Sequence, residues 1–251
     1  MADPRFFIET DLAAGTVVDL PASVAHHASH VLRLRDGDAV VLFNGRGGEF
    51  PGRLATRGQQ VELARHDPVE REPPVAVTLV QAWIATDKLE WVVEKAVELG
   101  AARIVLTATR RSVVRLDPTR LARRVDRLRE IAIAACCQCG RNRMPAIAAF
   151  GDLGSALSEA GAGATGLVLQ PDAPGSLVEI AGAAPGPIAV AVGPEGGFDA
   201  DEFALVRRAG YHLARLGPRV LRTETAGLAA LAAVQSTVGD FSLAAPGTSL
   251  R

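Results

Sequence analysis

The run LGPRVLRTETAGLAALAAVQ, Leu216 to Gln235, sets Arg222, Thr223, Glu224 and Thr225 between a Gly217-Pro218 turn and a helix of Ala and Leu. Polar side chains held between a tight turn and an apolar helix make either a site or a helix cap. Thr223 as the N-cap, with Glu224 in a first turn where the helix dipole favours a carboxylate, covers part of the pattern. Arg222 and the Gly-Pro loop are left over, and they point to a site. The segment VGPEGGF, Val192 to Phe198, has the same character. Gly193, Gly196 and Gly197 carry no side chain to keep a ligand away from backbone N–H groups. Glu195 between them is either a helix-end charge or a ligand contact. Each loop follows a short apolar strand, so the two read as walls of one ligand pocket.

A second set of residues suits another chemistry. Between Arg110 and Glu130, eight arginines (110, 111, 115, 120, 123, 124, 127 and 129) stand against Asp117, Asp126 and Glu130. Arg141, Asn142 and Arg143 follow. A guanidinium donates two parallel hydrogen bonds to phosphate. A solvated helix face is the plainer alternative for the helix arginines. Spread over many residues in a chain of formal net charge -1, the combined cluster favours RNA over a small phosphate. Two further patterns carry less. GAGATG, Gly161 to Gly166, matches a dinucleotide fingerprint, but its strand comes after it instead of before, so it reads as a flexible loop. Cys136 and Cys139 have C-x-x-C spacing but no second Cys/His pair to complete a zinc site, and they read as small buried thiols at a helix end.

These residues need elements to hold them. The chain has 251 residues, enough for one large domain or a small one and a medium one. Its 48% hydrophobic and 22% charged content fits a globular protein. The basic residues are nearly all Arg; the lysines are Lys88 and Lys95. No run approaches the roughly 20 apolar residues of a membrane span. The start, MADPRFFIETD, lacks the basic and apolar regions of a secretory signal. With three cysteines, an odd number, the expected location is a reducing cytoplasm.

Residues 1–72 read as short strands at Arg5–Glu9, Thr16–Leu20, Ala39–Phe43, Glu49–Ala55 and Gln60–Arg65, with a helix over Ala22–Leu32. Asn44-Gly45-Arg46-Gly47-Gly48 is a hairpin signal, because Asn and Gly tolerate positive φ. This predicts a small β-barrel or curled sheet, followed by a linker at His66–Pro74. In residues 73–251, strands at Val75–Trp83, Arg103–Leu106, Leu167–Gln170, Ile188–Val192 and Leu213–Leu216 alternate with helices. Leu89–Leu99 is one helix, closed by Gly100; Pro118 to about Gln138 is a longer one. The fold class is α/β, a mostly parallel sheet with helices on both faces. Ligands on such sheets bind beyond the carboxyl ends of the strands, where the loops after Gln170, Val192 and Leu216 lie.

Taken together, VGPEGGF, LGPRVLRTET, IAIAACCQCGRNRMPAI (Ile131 to Ile147), KLEWVVEKAVELGA (Lys88 to Ala101) and HVLRLRDGDAVVLFNGRGGEF (His30 to Phe50) resemble the RsmE family, ribosomal RNA methyltransferases of the SPOUT superfamily. Similar proteins often carry an extra lysine and glycine ahead of the helix, where this chain reads Ala85-Thr86-Asp87-Lys88. The resemblance implies a PUA-like N-terminal β-barrel for RNA and a SPOUT-type C-terminal domain whose parallel sheet forms a trefoil knot. It implies S-adenosylmethionine in that knot, no metal, no membrane, and a homodimer with the pocket near its interface. The implied reaction is methylation of N3 of one uridine in 16S rRNA of the small ribosomal subunit.

On that reading the cofactor sits on Leu169, Gln170, Gly193, Pro194, Glu195, Gly196, Gly197, Leu216, Gly217, Leu221 and Thr223. Uridine N3 is a poor nucleophile until its proton leaves. Arg222 would stabilise negative charge on the base carbonyls; Glu224 first, and Glu195 second, would take the proton. The target base must be reached unpaired or flipped out. Arg33, Arg35, Arg110, Arg111, Arg141 and Arg143 would hold phosphates. The rivals are a SPOUT enzyme with another target, such as a ribose 2′-hydroxyl, and a non-catalytic RNA-binding assembly protein.

Overall fold

The computed structural model describes residues 3–112 and 117–241. Arg115, one of the arginines of the expected basic cluster, lies outside the described residues. The chain divides into two compact units, one of residues up to Glu72 together with Ile133–Met144, the other of Pro73–Ala132 and the residues from Pro145 onward.

The first unit is built on β1 (Arg5–Phe7), β2 (Val17–Asp19), α1 (Ala22–His26), β3 (Ala39–Phe43), β4 (Phe50–Ala55) and β5 (Gln60–Leu63). Along β4 and β5 alternate residues are buried, as expected of a sheet with one face on a core. That core holds Phe6, Ile8, Leu42, Phe50, Leu54, Val61 and Leu63. The strand order is β1-β3-β4-β5-β2, with β1 parallel to β3 and the other pairs antiparallel. Of the expected barrel or curled sheet, the second is found, a five-stranded sheet open at its edges. Its two edges, β1 and β2, are three residues each and do not pair with one another. The helix expected over Ala22–Leu32 is α-helical only to His26; His27–Val31 is a π-helical turn.

The segment expected to be a linker is tied down. Glu49 and Asp67 exchange backbone hydrogen bonds at 2.8 Å each way. Arg71 donates to Glu49 at 3.1 Å and to the Gly140 carbonyl at 2.9 Å. Asn142, fully buried, donates to the Val69 carbonyl at 2.8 Å. A cut of the chain at 72/73 misses this return of residues 133–144, because the contacts are polar and far apart in sequence.

The second unit comprises β6 (Val77–Ala82), α2 (Thr86–Glu98), β7 (Ala101–Thr107), α3 (Pro118–Cys139), β8 (Ala146–Phe150), α4 (Leu153–Gly161), β9 (Thr165–Leu169), β10 (Gly175–Ser176), α5 (Leu177–Gly182), β11 (Ile188–Val192), α6 (Ala200–Arg208), β12 (His212–Arg215) and α7 (Thr223–Thr237), except that the last turns of α3 belong to the first unit. The order is β10-β12-β9-β11-β6-β7-β8, and every pairing is parallel. β6 and β11 are buried at every position, which explains the unbroken apolar sequence of β11 and the mostly apolar one of β6, where Thr78 and Gln81 are the polar exceptions. On one face α7 packs between α2 and α5. On the other, α4 and α6 cover Val80, Val105, Val168, Ala189 and Ala191. β8 and β10 had no clear sequence signal: AIAAF is mostly Ala, and β10 is two residues long.

The GAGATG string closes α4 and opens β9, the reverse of a dinucleotide loop. Gly166 lies against Tyr211, where an added Cβ would meet the ring at 2.6 Å. It is a packing glycine in a strand, not part of a loop. Cys136 is buried at the end of α3, and burial pushes its thiol up to about 12, which makes it inert.

Candidate active site

In the sheet order β12, β9 and β11 are neighbours, so the loops leaving their carboxyl ends meet. With the first turns of α7 and α2 they enclose a cavity of about 600 Å³. That is ample for a nucleoside-sized ligand. Leu169, Gln170, Gly193, Pro194, Glu195, Gly197, Leu216, Leu221, Arg222, Thr223 and Glu224 all line it. Gly196 and Gly217 do not. The Gly196 carbonyl accepts from Arg111 at 2.7 Å, and a Cβ there would meet Arg111 at 3.2 Å. Gly217, at φ +83, turns its loop through the left-handed region that glycine favours.

The loop after β11 turns on a Gly197 N–H to Pro194 carbonyl bond of 2.9 Å. It then enters α6 through a capping box of Asp199 and Glu202. Phe198, buried, stands edge-on to Phe203 and forms the apolar wall. Within the loop after β9, Arg215 donates to the Ala173 carbonyl at 2.9 Å and also to that of Pro174.

Thr223 is not the helix cap that the sequence suggested. Arg222 occupies the N-cap position, without a side-chain cap bond. The Thr223 hydroxyl instead donates to the Gly193 carbonyl at 2.6 Å and accepts from Gln81 Nε2 at 2.9 Å. One buried hydroxyl therefore ties α7 to the loop after β11 and to β6. Gln81, fully buried in β6, is a site residue that motif reading misses; an amide side chain in a mostly apolar strand is the signal that marks it.

Glu224 does lie in the first turn of α7. Its Oε1 pairs with Lys88 Nζ at 3.2 Å, and Lys88 also reaches Glu195 at 3.9 Å. Burial alone would raise the Glu224 carboxyl. Its own backbone N–H, Lys88 and Arg222 outweigh that and hold it below the usual carboxylate range. Lys88 is the cavity-lining charge that motif reading passes over; its rarity among arginines is the available signal.

The arginines expected at phosphates are placed unequally. Arg33 and Arg35 are exposed in the first unit, Arg33 with φ +57. Arg110 and Arg111 are exposed in the loop after β7, but Arg110 pairs with Asp201 at 2.6 Å and Asp199 at 3.1 Å. Arg143 is exposed and pairs with Glu70 at 3.0 Å. Arg141 departs from the expectation. It is buried, and its guanidinium is committed to both oxygens of Glu72. A guanidinium so committed holds the first unit together and leaves no free fork for phosphate.

The model of an RNA methyltransferase domain matches residues 71–235, and that of an RNA methyltransferase PUA domain matches residues 20–60. Both point to RNA methyltransferases that carry a PUA domain. The chain is 35% identical over 241 residues to ribosomal RNA small subunit methyltransferase E of Mycobacterium tuberculosis, covering 91% of this chain and 90% of that one. It is 27% identical to the Bacillus subtilis protein of the same name, over 92% of this chain and 95% of that one. The solved structure of the Neisseria gonorrhoeae protein, bound to S-adenosyl methionine, is 34% identical with a TM-score of 0.87, covering 96% of this chain and 100% of that one. The chain belongs to the ribosomal RNA small subunit methyltransferase E family.

Proposed function

We propose that this protein transfers the methyl group of S-adenosylmethionine to N3 of one uridine in 16S rRNA. The observation that carries the reading is one cavity walled jointly by the loops after β9, β11 and β12 and by the first turn of α7. Its chemistry fits the cofactor. Backbone at Gly193 and Gly197 is open to an adenosyl group, Phe198 and Leu221 supply apolar wall, and Glu195 and Glu224 supply negative charge for a cation. When bound, S-adenosylmethionine supplies an electrophilic methyl group on a sulfonium.

The protein's own residues do the rest. Arg222, exposed on the cavity wall, stabilises negative charge on the uracil carbonyls. Glu224 accepts the N3 proton, and its low proton affinity keeps it ionised for that task. Arg33, Arg35, Arg110, Arg111 and Arg143 hold phosphates of the structured target. The trefoil knot is part of the proposal; α7 packing back onto α2, α5, β6 and β11 after β12 supports it. So is a homodimer. Val220, 78% exposed on the cavity wall, is an apolar residue that a second copy would cover. No helix among the described residues is long and apolar enough to cross a membrane. We place the protein in the cytoplasm with its ribosomal substrate.

A methyl group on N3 blocks the pairing edge of uracil, whereas one on the ribose 2′-oxygen does not. Reverse transcription of small-subunit RNA treated with the protein and cofactor should therefore stop at one uridine. Full-length extension past a methylated ribose would favour the 2′-hydroxyl reading.

A further inference from the structure

Lys88 stands in the first turn of α2 and joins three elements. Its Nζ lies 3.2 Å from Glu224 at the start of α7 and 3.9 Å from Glu195 in the loop after β11. The other Glu224 oxygen, Oε2, is buried and has no hydrogen-bond partner among the described residues. The carboxylate is thus clamped at one oxygen and short of a donor at the other. An ionised group in that state gains from a ligand N–H.

We propose that Lys88 is a positioning residue: its ammonium fixes Glu224 beside Glu195 and presents the Glu224 carboxylate as acceptor for the uridine N3 proton. This rests on the N3 reading above. The step balances. The N3–H bond breaks and its proton goes to Glu224. The electron pair left on N3 forms the bond to the methyl carbon, whose bond to sulfur breaks with its pair staying on sulfur. Lys88 touches none of the reacting atoms.

The charged groups facing Glu224 are Lys88 from α2, Glu195 from the loop after β11 and Arg222 beside it; Asp172 and Arg219 line the same cavity. Without Lys88, burial acts against ionisation, opposed by Glu224's own backbone N–H and Arg222. The Glu224 carboxyl then rises.

The test is a carbon-13 titration of the glutamate carboxyls in the free protein, with Glu224→Gln identifying the resonance. Lys88→Met should move the Glu224 midpoint upward, and Lys88→Arg should leave it near the wild-type position. Lys88→Gln reads the same shift if Met disturbs the packing. Turnover of the Met variant on small subunits should fall roughly tenfold per pH unit below its new midpoint, while the Arg variant stays flat. A midpoint that stays put in both neutral variants would overturn the proposal. So would loss of cofactor binding by calorimetry in folded Lys88→Met, since Lys88 would then be a binding residue. Methylation by the wild type at an atom other than N3 would sink the underlying reading instead, and the titration result separates the two failures.

Discussion

Arg222 stands at the head of α7 on the cavity wall, where a positive charge meets whatever negative charge develops in the ligand. Arg222→Ala should leave cofactor binding by calorimetry unchanged and lower kcat by about 10²- to 10³-fold, the usual loss for one electrostatic stabiliser. Unchanged turnover would remove it from the mechanism. A second residue-scale prediction concerns Glu49, buried beside Arg5 and Arg71. Burial pushes its carboxyl up, but hydrogen bonds from Arg71 and Arg5 outweigh this and hold it below its ordinary value of 4.5. The folded protein then binds fewer protons at Glu49 than the unfolded chain does. The stability it contributes is whole above that ordinary value and is lost as pH falls through the depressed one. Glu49→Gln should cost about 1–3 kcal/mol at neutral pH, because the largely buried Arg5 guanidinium keeps Asn142 and the Arg141 carbonyl as partners but loses its counter-charge. The gap in Tm between variant and wild type should close on acidification. Equal Tm values at neutral pH would show that the pair is not holding the unit.

At the scale of elements, the cavity depends on the tie between α7, β6 and the loop after β11. Thr223→Val keeps the shape but removes the hydroxyl from Gly193 and Gln81. The variant should lose about 1–3 kcal/mol in denaturant unfolding and bind the cofactor more weakly; if neither changes, the tie is incidental. Gly166→Ala tests the decoy motif. The new methyl group would press on the buried Tyr211 ring, whose hydroxyl donates to the Leu157 carbonyl at 2.9 Å. Stability should fall by about 1–3 kcal/mol with cofactor affinity intact, since Gly166 does not line the cavity. Much of this level was legible in the sequence. Largely apolar runs mark β6 and β11, and glycine-rich loops after apolar strands mark the cavity walls. Thr223 reads as a cap because Ser and Thr before a helix usually bond their own first turn, and only the fold brings Gly193 and Gln81 within reach. The Lys88 clamp was hidden for the same reason: its partners lie far along the chain, at Glu195 and Glu224.

At the scale of the whole molecule, alternating strands and helices gave the parallel sheet, and the change of period near residue 72 gave two units. Two features were out of reach. Residues 133–144 return to the first unit through buried polar bonds, which leave no periodicity. The N-terminal sheet stays open because its edge strands are short, and strand count alone does not decide closure. The same return explains Arg141, which a charge count placed on RNA and the fold places on Glu72. Methylation of N3 of one uridine yields one nucleoside product. The measurement is mass spectrometry of nucleosides from small ribosomal subunits lacking the modification, incubated with the protein and isotope-labelled S-adenosylmethionine. Labelled 3-methyluridine is the predicted product, formed far more slowly by Arg222→Ala. A labelled nucleoside methylated elsewhere, or no labelled nucleoside from a protein that binds the cofactor, would contradict the account.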